Sequence, residues 1–184
     1  MIRHIPNALT ALRIAAVPVL VWLAVARRHD AFTAILIACL LGDIADGLLA
    51  RALHANSALG AMLDSIADAL LFFVAAGGAV IFYPELLRDH AVAFLLIPAT
   101  WIAENFTALL RYGRLSSFHT YLSRVAAQVM GIFIALLFLS GLHVWLLYMA
   151  AGVLVIATLE EFMLLFLLPE WTADVRGVYW VLRR

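Results

Sequence analysis

The sequence predicts an all-α integral membrane protein of six transmembrane helices. Composition and segmentation carry that reading. Of 184 residues, 66% are apolar and only 13% charged, against about 45–50% and about 25% in a soluble domain, and the mean hydropathy is +1.05. The apolar residues also fall into six stretches near the length of about 20 residues that crosses a bilayer, with short polar links between them.

The first stretch covers residues 8–26 and ends at Arg27-Arg28. Arg3, the apolar run and Ala24-Val25-Ala26 have the outline of a cleavable leader. The run is long enough to span, however, and comparable stretches continue to residue 168, so it reads as a retained helix. The second stretch, 31–54, carries Asp43 and Asp46; the third, 58–83, carries Asp64 and Asp68 and is rich in small residues, including Gly77-Gly78, which suit close helix packing. The fourth, fifth and sixth cover 91–111, 120–140 and 143–168, and the polar tail after Pro169 belongs at the surface. Links this short make successive helices antiparallel neighbours, in one domain over 1–184.

Six crossings put both termini on one side, together with Arg3, Arg51, Arg111, Arg114, Arg124, Arg176, Arg183 and Arg184. Arg27, Arg28 and Arg88 fall on the other, and the positive-inside rule makes the terminal side cytoplasmic. The expected location is a bacterial-type inner membrane. Twelve acidic residues balance twelve basic ones, all of them Arg, so charge gives no argument for a nucleic-acid partner. The single Cys39 cannot close an intrachain disulfide or build a cysteine metal site.

Ionisable residues inside a span cost about 2.5–3.5 kcal/mol each on insertion scales and mark function by default. Measured from the tight link at 55–57 with a rise of about 1.5 Å per residue, Asp43 and Asp68 lie at nearly equal depth on two antiparallel helices, and Asp46 and Asp64 form a shallower level. Spacings of three and four put each pair on one helix face, so the two pairs can confront each other. Four adjacent carboxylates repel unless a cation neutralises them, and all-oxygen ligation suits Mg²⁺, Mn²⁺ or Ca²⁺. A divalent-metal site, dinuclear in its fullest form, is the natural reading; spacing alone leaves open a proton relay or helix-linking hydrogen bonds.

Gly47 follows Asp46, Ala50-Arg51 closes the second stretch, and Gly60 precedes Asp64 by one turn. Small residues let a bulky ligand approach the backbone, and Arg51 offers a planar fork suited to phosphate. Written out, residues 43–68 read D-x2-D-G-x2-A-R-x8-G-x3-D-x3-D. This pattern resembles the signature of the CDP-alcohol phosphotransferase (phosphatidyltransferase) family, membrane enzymes of phospholipid synthesis that displace CMP from a CDP-linked substrate. Length, span number and the stretch I-P-N-A-L-T-A-L-R at 5–13 resemble, within that family, the bacterial phosphatidylglycerophosphate synthases.

The resemblance implies that Asp43, Asp46 and Asp64 bind two divalent ions, Mg²⁺ or Mn²⁺, with Asp68 completing the metal site and acting as the base. It implies that Gly47, Ala50, Arg51 and Gly60 line the nucleotide site, beside a polar stripe of Asn7, Thr10 and Arg13 whose other reading is helix capping and snorkelling. The donor it implies is CDP-diacylglycerol and the acceptor a small alcohol. Arg111, Arg114 and Arg124 suit an anionic acceptor such as glycerol 3-phosphate, with positive-inside anchoring as the alternative. Glu104 and Arg111 match the synthase pattern, but Ala103 stands where those enzymes carry an Arg and their lysine segment is replaced around Tyr121 to Arg124. Inositol phosphate, inositol, serine and choline therefore stay open as acceptors. Glu160 and Glu161 read either as acceptor contacts or as partners of Arg124 or other arginines that hold helices together. The family relationship also implies a homodimer, and the reading from another class is a cation or proton transporter using intramembrane carboxylates.

Overall fold

A computed structural model describes the backbone of residues 5–53, 58–114, 116, 118, 120–172 and 175–183, and the side chains of these apart from 5–9, 46–53 and 58–62. In chain order the helices are α1 (Ile5–Val25), α2 (His29–Leu53), α3 (Ala58–Phe82), α4 (Glu85–Arg88), α5 (Ala91–Tyr112), α6 (Tyr121–Ser140), α7 (Val144–Leu167) and α8 (Val178–Leu182). The six long ones coincide with the six apolar stretches, and no strand occurs among the described residues. Leu63–Phe82 of α3, α5, α6 and α7 are each long and apolar enough to cross a membrane, and Thr10–Val25 of α1 is a shorter apolar helix. The charges that α2 carries, Asp30, Asp43, Asp46 and Arg51, interrupt its apolar character. The two short helices lie in a link and a tail that sequence periodicity leaves blank.

The chain forms two compact units, Met1–Pro84 and Glu85–Arg184. In the first, α1 packs along both α2 and α3, which meet each other over a much shorter stretch. The buried stripes follow helical spacing: Leu20, Leu23 and Ala24 on α1; Phe32, Leu36 and Cys39 on α2; Ala67, Leu71, Ala75 and Ala79 on α3. Small residues on α3 let the larger side chains of its neighbours approach. Gly78 shows this most sharply, since a Cβ there would come 2.5 Å from Cζ of the fully buried Phe32. Trp22, Leu41, Ile44 and Ile66 point outward and are exposed, an arrangement suited to hydrocarbon rather than water.

The far end of this unit is fixed by polar contacts. His29 Nε2 lies 2.9 Å from Tyr83 Oη, and the imidazole meets Phe82 edge-on at 5.1 Å. Between α1 and α2 the chain reverses through Arg27, whose φ of 54° is left-handed. The amide of Arg28 donates to Leu23 O at 2.9 Å, satisfying a carbonyl at the end of α1.

In the second unit α5 and α6 both pack on α7, α4 packs on α5, and α8 on α7. α7 is the buried centre, contributing Leu146, Leu147, Ala150, Ala151, Ala157, Leu164 and Leu165. Its C-terminal carbonyls are capped from α5: Tyr112 Oη donates to Leu165 O at 3.1 Å and to Leu168 O at 2.8 Å. Gly113, in the left-handed region at φ 66°, ends α5 with its amide on Leu109 O. Thr120, fully buried, opens α6 by accepting from the Ser123 amide at 3.0 Å. Val175, Val178 and Val181 then pack on a core of Ala108, Phe118, Leu164 and Leu165.

The Gly78–Phe32 contact makes the first prediction. Gly78→Ala should destabilise the protein by about 1–3 kcal/mol, the usual range for overpacking, with partial recovery when Phe32→Leu is added. Gly77→Ala, where a Cβ meets nothing within 4 Å, should be tolerated. Thermal unfolding of the purified protein in detergent checks all three.

Candidate functional site

The buried stripes of the first unit continue into charge. On α2 the run Phe32, Leu36, Cys39 is followed at the same spacing by Asp43; on α3 the run from Ala79 back to Ala67 leads to Asp68 and Asp64; on α1 the inner face continues to Arg13 and Thr10, each 3% exposed. Three helices that pack through one apolar seam therefore bring their ionisable residues to one place.

There the Arg13 guanidinium bridges both acidic helices. Nη1 donates to Asp43 Oδ1 at 2.9 Å and to Asp68 Oδ1 at 2.8 Å, while Nη2 donates to Asp64 Oδ1. The carboxylates are each about half exposed, with side-chain values of 43% for Asp43, 45% for Asp64 and 55% for Asp68. One side of the cluster is closed by the buried Arg13, and the carboxylates retain an accessible side. One oxygen from each of Asp43, Asp64 and Asp68 lies within 4.8 Å of the others. An all-oxygen, all-anionic donor set of that compactness fits a hard divalent cation such as Mg²⁺ or Mn²⁺.

The depth argument from sequence thus finds its counterpart in Asp43, Asp64 and Asp68, which the structure brings together. Asp46, Gly47, Ala50 and Arg51 lie on α2 and Gly60 on α3, but their side chains, like that of Asn7 on α1, lie outside the described residues. Thr10 is buried one turn before Arg13. The role of Arg13 as the partner of the acidic residues is what sequence reasoning missed. Its signals were the spacing of three in Asn7, Thr10 and Arg13, which gives a face, and the short link between α1 and α2, which sets Arg13 close to level with Asp43.

The other candidates lie in the second unit. Arg111 donates from Nη2 to Leu168 O at 3.3 Å and stacks 5.6 Å from the Tyr112 ring centre and 6.0 Å from that of Phe166. Arg114 lies 5.4 Å from the Trp171 ring and Arg124 5.9 Å from that of Tyr121. Glu160 accepts from the Val178 amide at 3.2 Å, tying the start of α8 to α7. Glu161 and Glu104, each 7% exposed, lie near one another, with Ser123 close to Glu161.

The profile of the CDP-alcohol phosphatidyltransferase family matches residues 3–159. Among curated proteins, the chain is 33% identical over 93 residues to CDP-diacylglycerol–serine O-phosphatidyltransferases of Mycobacterium tuberculosis (strain H37Rv) and Mycobacterium bovis. The matched segment is 50% of this chain and 32% of each relative, so the chain spans about a third of the length of the curated relatives it matches. No solved structure matches it significantly.

The buried polar neighbourhood of Glu104 and Glu161 is itself testable, because an amide keeps polar atoms there and a methyl group does not. Glu161→Gln should stay close to wild-type stability. Glu161→Ala should lose about 1–3 kcal/mol by leaving a buried polar group without its partner, read as the difference between their melting midpoints in detergent.

Proposed function

The chain belongs to the CDP-alcohol phosphatidyltransferase family, and we propose from that premise that it transfers a phosphatidyl group from CDP-diacylglycerol to a small alcohol, releasing CMP. The observation that carries this reading is the convergence of Asp43 from α2 with Asp64 and Asp68 from α3, their ligand oxygens within 4.8 Å. In the proposed enzyme Asp43, Asp46 and Asp64 hold divalent ions, Asp68 completes the set, and Gly47, Ala50, Arg51, Gly60, Asn7 and Thr10 border the nucleotide. Bound there, two Mg²⁺ or Mn²⁺ ions would supply neutralisation of the diphosphate and of the departing CMP.

The remaining work falls to the chain. The acceptor hydroxyl oxygen attacks the β-phosphorus, the bond from that phosphorus to the CMP oxygen breaks, and the hydroxyl proton passes to Asp68. Of the three described carboxylates Asp68 has the most accessible side chain, as a group that must meet an incoming alcohol requires. The small residues Gly47, Ala50 and Gly60 suit close approach of the nucleotide to the backbone. The protein acts in the membrane as a six-helix homodimer, with its site and both termini on the cytoplasmic side.

For the acceptor, Arg111, Arg114 and Arg124 supply guanidinium groups suited to glycerol 3-phosphate. A second reading, serine, is favoured by the named activity of the mycobacterial relatives and by Ala103, which departs from the synthase pattern. Purified protein supplied with CDP-diacylglycerol and Mg²⁺ or Mn²⁺ should release CMP with one member of a panel of glycerol 3-phosphate, serine, inositol phosphate, inositol and choline. Asp43→Asn, Asp64→Asn and Asp68→Asn should each lower that rate by about 100-fold or more. Normal turnover in those variants, or turnover that survives chelation, would sink the proposal. If the productive acceptor is glycerol 3-phosphate, Arg124→Gln should raise its KM by about tenfold or more; with serine as acceptor the same change should leave KM near its wild-type value.

A further inference from the structure

The three carboxylates already have a cation among them. Arg13 is 3% exposed, and its two terminal nitrogens contact one oxygen from each of Asp43, Asp64 and Asp68 across two different helices. These same three residues form the compact oxygen set that fits a divalent ion. A guanidinium and a metal ion in that space draw on the same lone pairs and repel each other over a few ångströms.

We propose that Arg13 is the resident counter-cation of this site, holding the carboxylates together before metal loading and being displaced from them as the metal enters. The proposal rests on the metal-binding reading of Asp43, Asp64 and Asp68 given above. Two physical consequences follow. In the metal-free protein the guanidinium offsets part of the repulsion among the carboxylates, and they in turn stabilise a charge buried in a membrane helix. Metal binding then has to break charge-assisted hydrogen bonds, so the wild-type site binds its metal more weakly than its donor set alone would allow. Arg13 is on this account a positioning residue, and its planar fork matters because one guanidinium can face three carboxylates at once, whereas an ammonium is a point charge.

The test compares the full chain, purified in detergent and stripped with chelator, as wild type, Arg13→Gln, Arg13→Lys and the double variant Arg13→Gln/Asp68→Asn. Unfolding midpoints are followed without metal and through a Mn²⁺ titration. Without metal, Arg13→Gln should melt about 5 °C or more below wild type, and Asp68→Asn added to it should restore part of the loss by removing one of the repelling charges. With Mn²⁺, the half-saturating concentration for Arg13→Gln should fall by about tenfold or more, the affinity equivalent of a lost charge-assisted hydrogen bond, and its total thermal gain should exceed that of wild type. Arg13→Lys should lie between the two and serves as the variant should Arg13→Gln fail to fold.

Equal or weaker Mn²⁺ binding in the Arg13 variants would overturn the proposal, since Arg13 would then be an ally of the metal rather than its competitor. A metal-free melt unaffected by Arg13→Gln, or one that Asp68→Asn lowers further, would overturn it equally. If no form responds to Mn²⁺ although the metal-free melts behave as expected, the metal reading of the site fails and displacement fails with it, while an inactive protein with a normal Mn²⁺ response in wild type indicts the transferase reading alone.

Discussion

One buried guanidinium sets the terms for the first half of the molecule. Asp43, Asp64 and Asp68, half exposed but within ligand distance of one another, repel, and a positive charge among them offsets that repulsion. Arg13, 3% exposed and in contact with all three, provides it from the third helix. Everything apolar around it serves that placement. The stripes Leu20–Ala24, Phe32–Cys39 and Ala67–Ala79 bring three helices together, and the small residues of α3 allow Phe32 to sit against Gly78. The same packing that costs a charge its water also decides which charges it meets.

The second unit solves a different problem, that of ending long helices where their backbone groups run out of partners. Tyr112 and Arg111 supply donors to Leu165 O and Leu168 O at the close of α7, Thr120 caps the start of α6, and Glu160 accepts the first amide of α8. The arginines here stack on Tyr112, Phe166, Trp171 and Tyr121. A guanidinium over an aromatic face is oriented by the ring's electron-rich surface.

Much of this was legible in the residues themselves. Apolar length alone located six long helices to within a few residues, because a span must satisfy its backbone internally and a helix does so at every position. The meeting of Asp43 with Asp64 and Asp68 was legible as well, because a tight link fixes the relative depth of two antiparallel helices. The depth of Arg13 was open to the same argument, since the short link between α1 and α2 sets it close to level with Asp43, but depth and a spacing of three do not say that one face of α1 meets both α2 and α3. The nearness of Glu161 to Glu104 was not legible either, because no link joins α5 directly to α7 and so nothing in the sequence sets their relative depth. The turns α4 and α8 escaped because four or five residues are too few to establish a period.

α1 touches both of its partners, whereas α2 and α3 meet only briefly. Its inner face therefore answers to two surfaces at once. A residue such as Arg13 cannot be exchanged to suit α2 without being judged again by α3, and compensation would need coordinated change on two other helices. The carboxylates draw notice by their chemistry, but the narrowest corridor for sequence drift in this unit runs along the helix that contributes none of them.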